Sequence, residues 1–456
     1  MKILLSMAAL AGAAFLHAET PSAIALHNAR IVPVSGPVVA KGTVLIRDGS
    51  IAEVGENVAL PPDAWVIEAQ GLTVYPGLID SMAAWTAAPS TAPASPTASS
   101  TSSRRSSGPS PPVVHGPEER PNTYSWVRAA DLISPDDGRI TSARSAGFTS
   151  VVAFPTSGIF GGQGAVINLS GEKRRMVLAT PAAQFISLPG GYGRAYPESL
   201  MGVIAYIRQV YLDAAHYQLE RAAYEKDKGA RRPEYDRALE GVLETPRTLL
   251  PAESAVQLER MARFAAELKL NAILYGAQDA YRDAPRLREF GYPLLVSLKW
   301  PEAPREADPD RRDSLRTLEL RDHAPETPVA LAKASVKYAF YADGLSGREA
   351  VRAVKRALDA GLPPADAVRS LTLSAAEIYG LADRLGSIQK GKIANLVVTN
   401  GDLFQERTQV KYIFVDGIKF EPVAEPAAGE RGARGGAPGG EPPSPDNPPS
   451  DFGGAR

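Results

Sequence analysis

The 456-residue chain contains no cysteine. Disulfides, thiolate metal sites and cysteine nucleophiles are thereby excluded. Histidine is nearly as scarce: His17, His27, His115, His216 and His323 are the whole set, and their separations match no local metal-binding motif. Neither sign of charge is in excess. Fifty Lys and Arg offset 51 Asp and Glu, for a formal net charge of −1, so nothing draws the chain toward nucleic acid or an anionic membrane surface. Beyond the N-terminus no apolar run reaches the roughly 18 residues a membrane-spanning helix needs. There is no Gly-x-Ser-x-Gly nucleophile elbow. The glycine-rich stretch Ser157 to Gly164 lacks the Gly-Lys-Ser/Thr ending of a phosphate loop. No repeat of 20–50 residues is visible.

What is present is a chain of ordinary apolar content, 44%, long enough for two or three domains. Its first residues read as an export signal: Lys2, then an apolar run from Ile3 to Phe15, then Ala18 as a small residue for cleavage. The expected location is periplasmic or secreted. From Ala23 to Tyr75 the pattern is β. Gly42 to Gly55 reads as a hairpin because Asp48-Gly49 separates two apolar runs, and Trp65 to Ala69 is a further short strand. The far end mirrors this. Leu385 to Thr399 reads strand, turn, strand, and Val410 to Phe420 is a hairpin turning at Asp416-Gly417.

Between the two ends, strands and helices alternate, which argues for βα units. Strands are expected at Leu78-Ile79, Phe148–Phe154, Gln184–Leu188, Thr248–Leu250, Asn271–Tyr275, Pro293–Leu298 and Val336–Tyr341. Ala165–Leu169 and Met176–Leu178 form a hairpin excursion. Helices are expected at Asp137–Ala146, Pro197–Lys228 (with a turn inside it), Ala255–Leu268 and Ala277–Phe290. That gives seven parallel strands. Residues 86–121, rich in Ser, Pro and Thr, and the Gly/Pro-rich residues 422–456 read as disordered.

Three stretches carry a resemblance. Residues Leu72 to Trp85, "LTVYPGLIDSMAAW", resemble the junction at which amidohydrolase-superfamily proteins pass from a small β-domain into the first strand of a (β/α)8 barrel. "GSIQKGKIANLVV" resembles that family's C-terminal half of the β-domain. "AGFTSVVAFPTSGIFGGQGAVINL" is similar to exported imidazolonepropionase-like members. The resemblance implies an α/β fold: a (β/α)8 TIM-like barrel over 77–382, beside a composite β-sandwich built from 19–76 and 383–421, with a signal peptide over 1–18. Seven strands are one short of that barrel.

It also implies hydrolysis of non-peptide carbon–nitrogen bonds, often in cyclic amides, with zinc or a similar ion. The family's ligands are a His-x-His pair on the first strand, a mid-barrel Lys or Glu, a His after each of two later strands, and an Asp on the last. Here the pair is Met82 and Ala84. Pro251-Ala252-Glu253 and Gly276 follow the later strands, and only Asp343, after Tyr341, survives. Metal lowers the pKa of water from about 15.7 to about 7. At about 1.36 kcal/mol per unit, hydroxide at neutral pH then costs roughly 12 kcal/mol more without it. A general base supplies about 10²–10⁴-fold, or roughly 3–5 kcal/mol, so Asp343 alone does not replace a metal centre.

The expectation is therefore no bound metal, and reduced or lost hydrolysis. The strand ends are still furnished. Asp343, Lys299 and Glu253 are the candidate catalytic residues. Tyr192, Arg194 and Trp300 are the candidate substrate-binding residues. Three readings stand: a metal-depleted homologue that binds a small ligand or pairs with an active relative, a working hydrolase that uses Asp343, Lys299 and Glu253 or an unrecognised metal site, and a binding or scaffold protein attached through the insertion and tail. The partner expected in the first is a small molecule, with a homo-oligomer or a related amidohydrolase as the protein partner, and neither nucleic acid nor a membrane span.

Overall fold

The structure is a computed structural model describing residues 23–85, 120–188, 196–197, 199–303 and 312–423. The expected signal peptide, Tyr192 and Arg194 lie outside these residues. So do the expected disordered segments, apart from Arg120, Pro121, Pro422 and Val423. In chain order the strands are β1 (Ala23–Ile31), β2 (Val39–Arg47), β3 (Ser50–Gly55), β4 (Ala64–Glu68), β5 (Thr73–Pro76), β6 (Leu78–Ala83), β7 (Phe148–Ala153), β8 (Phe160–Gln163), β9 (Ala165–Asn168), β10 (Val177–Ala179), β11 (Gln184–Ile186), β12 (Thr248–Ala252), β13 (Ala272–Gly276), β14 (Leu294–Ser297), β15 (Tyr338–Tyr341), β16 (Leu396–Thr399), β17 (Val410–Val415) and β18 (Ile418–Phe420).

Strands from both chain ends share one eight-stranded sheet, ordered β18-β17-β16-β5-β1-β2-β3, with β4 also paired to β1. Both expected Asp-Gly turns form. Asp48 and Gly49 have φ of 50° and 77°, and Asp416 and Gly417 have 54° and 75°, the pair of positive angles a tight hairpin turn requires. The two turns pack on each other. A Cβ on Gly417 would lie 2.7 Å from Gly49 Cα, and Gly49 O and Gly417 N both bond to Ala394. Leu385 to Thr399 is not two strands: only β16 is regular. The residues before it are turn, held by Lys392, whose buried ammonium donates to Ala382 O and Ser387 Oγ, each at 2.5 Å.

The middle of the chain builds a four-stranded sheet, β10-β9-β7-β6, and a six-stranded one, β15-β14-β13-β12-β11-β8. β11 to β15 run parallel, as do β6 and β7. Alternate residues point to opposite faces. Ile79, Val152, Phe154, Phe185, Leu249, Ile273, Leu295, Ala339 and Tyr341, drawn from both sheets, meet in one apolar cluster. Leu250, Leu274, Val296 and Phe340 face the surrounding helices.

β8 is the strand the sequence conceals. Two of its four residues are Gly, which weakens a strand and hides its pattern. Here the backbone is crowded: a Cβ on Gly161 would sit 2.4 Å from Pro155 O, and one on Gly162 2.5 Å from Val127 O. β8 pairs antiparallel with β11 and runs through Gly164 into β9.

Helix boundaries depart from expectation twice. Leu200–Lys226 is one uninterrupted helix, N-capped by Ser199, with no internal turn. Ala277 to Phe290 splits into a 3-10 turn, Ala280–Arg282, and a short helix, Ala284–Phe290, with Pro285 in its first turn. Arg120, expected to be disordered, donates to Asp236 at 2.6 Å and Asp213 at 2.8 Å.

β6 and β15 lie side by side without a backbone ladder. Side chains close the seam. Ser81 Oγ donates to Phe340 O at 2.6 Å, and Asp80 Oδ1 accepts from Ala342 N at 3.0 Å. Tyr379 OH donates to Ser81 O at 2.7 Å from behind.

Candidate functional site

The C-terminal ends of β12 to β15 bring Glu253, Tyr275, Ser297, Tyr341 and Asp343 together. Asp343 follows β15 with a φ of 52°, a left-handed conformation that Asp tolerates better than most residues. Its Oδ2 accepts from Ser297 Oγ at 2.8 Å. Ser297 Oγ in turn accepts from Lys299 N at 3.1 Å and bonds the Tyr341 hydroxyl. Glu253 lies over Gly276, whose Cβ would be 3.2 Å from Glu253 Cγ. Its backbone N–H is tied to Gln257 Oε1, part of the capping box that starts the helix Ala255–Glu267.

Two tyrosines floor this space. Tyr275 OH donates to Ile186 O at 2.9 Å, and its ring stacks on Phe185 with centroids 5.4 Å apart. Phe154 extends the layer, 5.9 Å from Phe185. Burial, and then the carboxylates of Glu253 and Asp343, push the Tyr275 hydroxyl far above the ordinary phenol value. The Tyr341 hydroxyl is raised in the same direction by burial and then Asp343.

Sequence reasoning missed Asp80 as a site residue, reading it only as part of the fold signature. Burial pushes its carboxyl up to about 7. The Ala342 and Met82 N–H groups pull the other way, and the Asp343 charge adds to the rise. A cavity of about 30 Å3 adjoins it, lined by Trp85, Ala342, Leu345 and others. The signal was available: a lone carboxylate inside the apolar run Leu78–Ala83 must be either neutral or paired.

Of the expected site residues, Asp343 and Glu253 converge. Lys299 joins them through its backbone: its N–H meets Ser297, and its carbonyl accepts from Gln278 Nε2 at 2.8 Å. Trp300 does not line the site. It is 6% exposed, and its indole donates to Ala353 O at 2.8 Å, which makes it a packing residue beneath the helix Gly347–Asp359. His27 bonds Thr43 Oγ1 within the eight-stranded sheet. His216 is exposed beside Glu220, and His323 ends the helix Leu315–His323 beside Glu326.

Zinc needs three or four N, S or O ligands at one point. At the strand ends Ala84, Pro251 and Gly276 bring no side-chain donor, and Met82 brings only a soft thioether that is not among zinc's usual ligands. Asp343 is already bonded to Ser297 and Asp80 to backbone N–H groups. Among the described residues no group of three or more His, Cys, Asp or Glu is placed to hold a metal ion. The donor set does not fit the family's metal centre.

The amidohydrolase family pattern matches residues 296–419, the stretch that holds Asp343. A dihydroorotase of Anaeromyxobacter dehalogenans (strain 2CP-C) is 42% identical over 55 residues, which are 12% of this chain and 13% of that protein's length. An amidohydrolase of Thermotoga maritima MSB8 has a similar structure at 25% identity and a TM-score of 0.69, covering 87% of this chain and 100% of the other. A prolidase complexed with N-methylphosphonate-L-proline shares the fold at 17% identity and a TM-score of 0.52, over 88% of this chain and 100% of the other. Residues 296–419 thus match the amidohydrolase family pattern, and most of the chain is similar in structure to the Thermotoga maritima amidohydrolase.

Proposed function

We propose that the protein is an exported amidohydrolase homologue that binds a small molecule at its strand ends and has given up metal-assisted hydrolysis of carbon–nitrogen bonds. On this reading the two central sheets form the family's barrel, with the antiparallel β8–β9 ribbon standing in for one strand, and the eight-stranded sheet is its composite β-domain. One observation carries the proposal. The layer at the strand ends is filled by the rings of Phe154, Phe185, Tyr275 and Tyr341, and among the described residues no imidazole enters it. Above this floor Asp343 and Glu253 offer carboxylates that hold or orient a ligand by hydrogen bonds. Without a metal, Asp343 as a general base falls several kcal/mol short of what an unactivated amide requires.

Metal analysis of the full chain, purified with zinc supplied, tests this together with turnover of cyclic amides. The expected result is less than one metal per ten chains and no zinc-dependent turnover. One zinc per chain, lost along with activity in Asp343→Asn, would overturn the proposal.

A further inference from the structure

The helix Leu200–Lys226 is apolar on two opposite faces. Val203, Ile207, Val210, Ala214 and Tyr217 are buried. The reverse side of a surface helix ordinarily carries polar residues. Here it presents Met201, Leu212 and Leu219, which are 82%, 51% and 69% exposed, with exposed Ala205, Ala215 and Ala222 between them. At 3.6 residues per turn these six fall within an arc of about 100°, along an element about 40 Å long.

Their spacing is that of a coiled-coil seam. Ala205, Leu212 and Leu219 recur at every seventh residue and lead on to Lys226. Met201, Arg208, Ala215 and Ala222 form the second series, offset by three or four. Two interleaved heptad series are how one helix packs along another. Only Arg208 and Lys226 put charge in the seam, and Arg208 is held by Glu267 at 2.7 and 3.1 Å.

The seam fits a reversed copy of itself. With a two-fold axis passing between Asp213 and Ala214, Leu212 meets Ala215 of the second copy and Ala205 meets its Ala222. Arg208 then lies against its Leu219, and Met201 against its Lys226, each contact using the apolar stem of the charged side chain. Leu lies on Ala at the centre, and no like charges meet. A parallel pair would instead set Arg208 on Arg208 and Lys226 on Lys226. A net charge of −1 leaves little long-range repulsion between copies.

We propose that this face of the helix is a self-association surface, on which a second copy of the chain packs in antiparallel register to give a two-fold dimer. A single helix seam is a small interface, under about 1,200 Å2, so the dimer is reversible. The inference is independent of what occupies the strand ends.

Sedimentation velocity of the full chain from about 1 to 100 μM tests it. The expected result is a monomer–dimer equilibrium, at least tenfold weaker in Leu212→Lys and in Leu219→Lys. Both positions are exposed, so the circular dichroism spectrum should stay that of the wild type. Because the chain has no cysteine, single cysteines report the register by oxidative crosslinking. Ala215→Cys lies about 4–5 Å along the axis from its own copy and should crosslink, whereas Lys226→Cys lies roughly 37 Å from its own copy and should not. A monomer at every concentration, a dimer indifferent to either lysine substitution, failure of Ala215→Cys to crosslink, or crosslinking through Lys226→Cys would each overturn the proposal.

Discussion

Replacing Asp80 by Asn should change how stability depends on pH. The wild-type carboxyl titrates at about 7 in the folded protein, against about 3.9 in an unfolded chain. The native state therefore holds the proton more tightly, and stability falls as pH rises wherever the folded state binds more protons than the unfolded one. That window opens near pH 4 and closes just above pH 7. Three units at about 1.36 kcal/mol each amount to roughly 4 kcal/mol. The group is fully buried, so solvent screening does not reduce the figure. Asn keeps an oxygen to accept from Ala342 N, and the adjoining cavity of about 30 Å3 has room for about one water to meet its extra N–H. It cannot ionise. Urea denaturation of both proteins at pH 4.5, 6 and 8 isolates the contribution, because every other group titrates in both. Asp80→Asn should gain on the wild type by about 3–4 kcal/mol between the lowest and highest pH. Parallel pH profiles would refute the buried, neutral carboxyl.

Three further outcomes are expected. Installing the missing pair, Met82→His with Ala84→His, should not create a tight zinc site, because the ring layer of Phe185 and Tyr275 stays in place; competitive zinc titration with a chromophoric chelator checks this, and submicromolar binding would contradict it. Ser297→Ala removes the hydroxyl between Asp343 and Tyr341 and should cost about 1–3 kcal/mol, read as a lower urea midpoint; an unchanged midpoint would mean the network contributes nothing. Gly417→Ala should cost about 1–3 kcal/mol, since φ is 75° and its methyl would meet Gly49 Cα at 2.7 Å, whereas Gly36→Ala, with open space around it, should stay within about 0.5 kcal/mol.

The parts of the fold written in local chemistry were legible. Asp-Gly between apolar runs marks both hairpins of the outer sheet, and short apolar runs mark β7 and β12 to β15. What escaped depends on distant neighbours. β8 carries glycines because Pro155 O and Val127 O approach its backbone, a reason no window around residues 160–163 contains. Trp300 follows β14 and was read as a strand-end aromatic, but Ala353 O, more than fifty residues on, claims its indole N–H. Asp343 and Glu253 were found from a motif and a strand boundary. Their meeting with Tyr275 and Tyr341 required the parallel register that aligns Leu250 with Leu274 and Val296 with Phe340.

The pairing of β5 with β16 orders events during synthesis. One backbone edge of Thr73–Pro76 has no partner until Leu396–Thr399 has been made, and an open edge is a template for adventitious pairing with other chains. The first hairpins therefore wait on the last ones. A chain stopped short of residue 396 would lose the neighbour of its own N-terminal strands as well as its C-terminal ones, so late nonsense mutations should be as damaging as early ones.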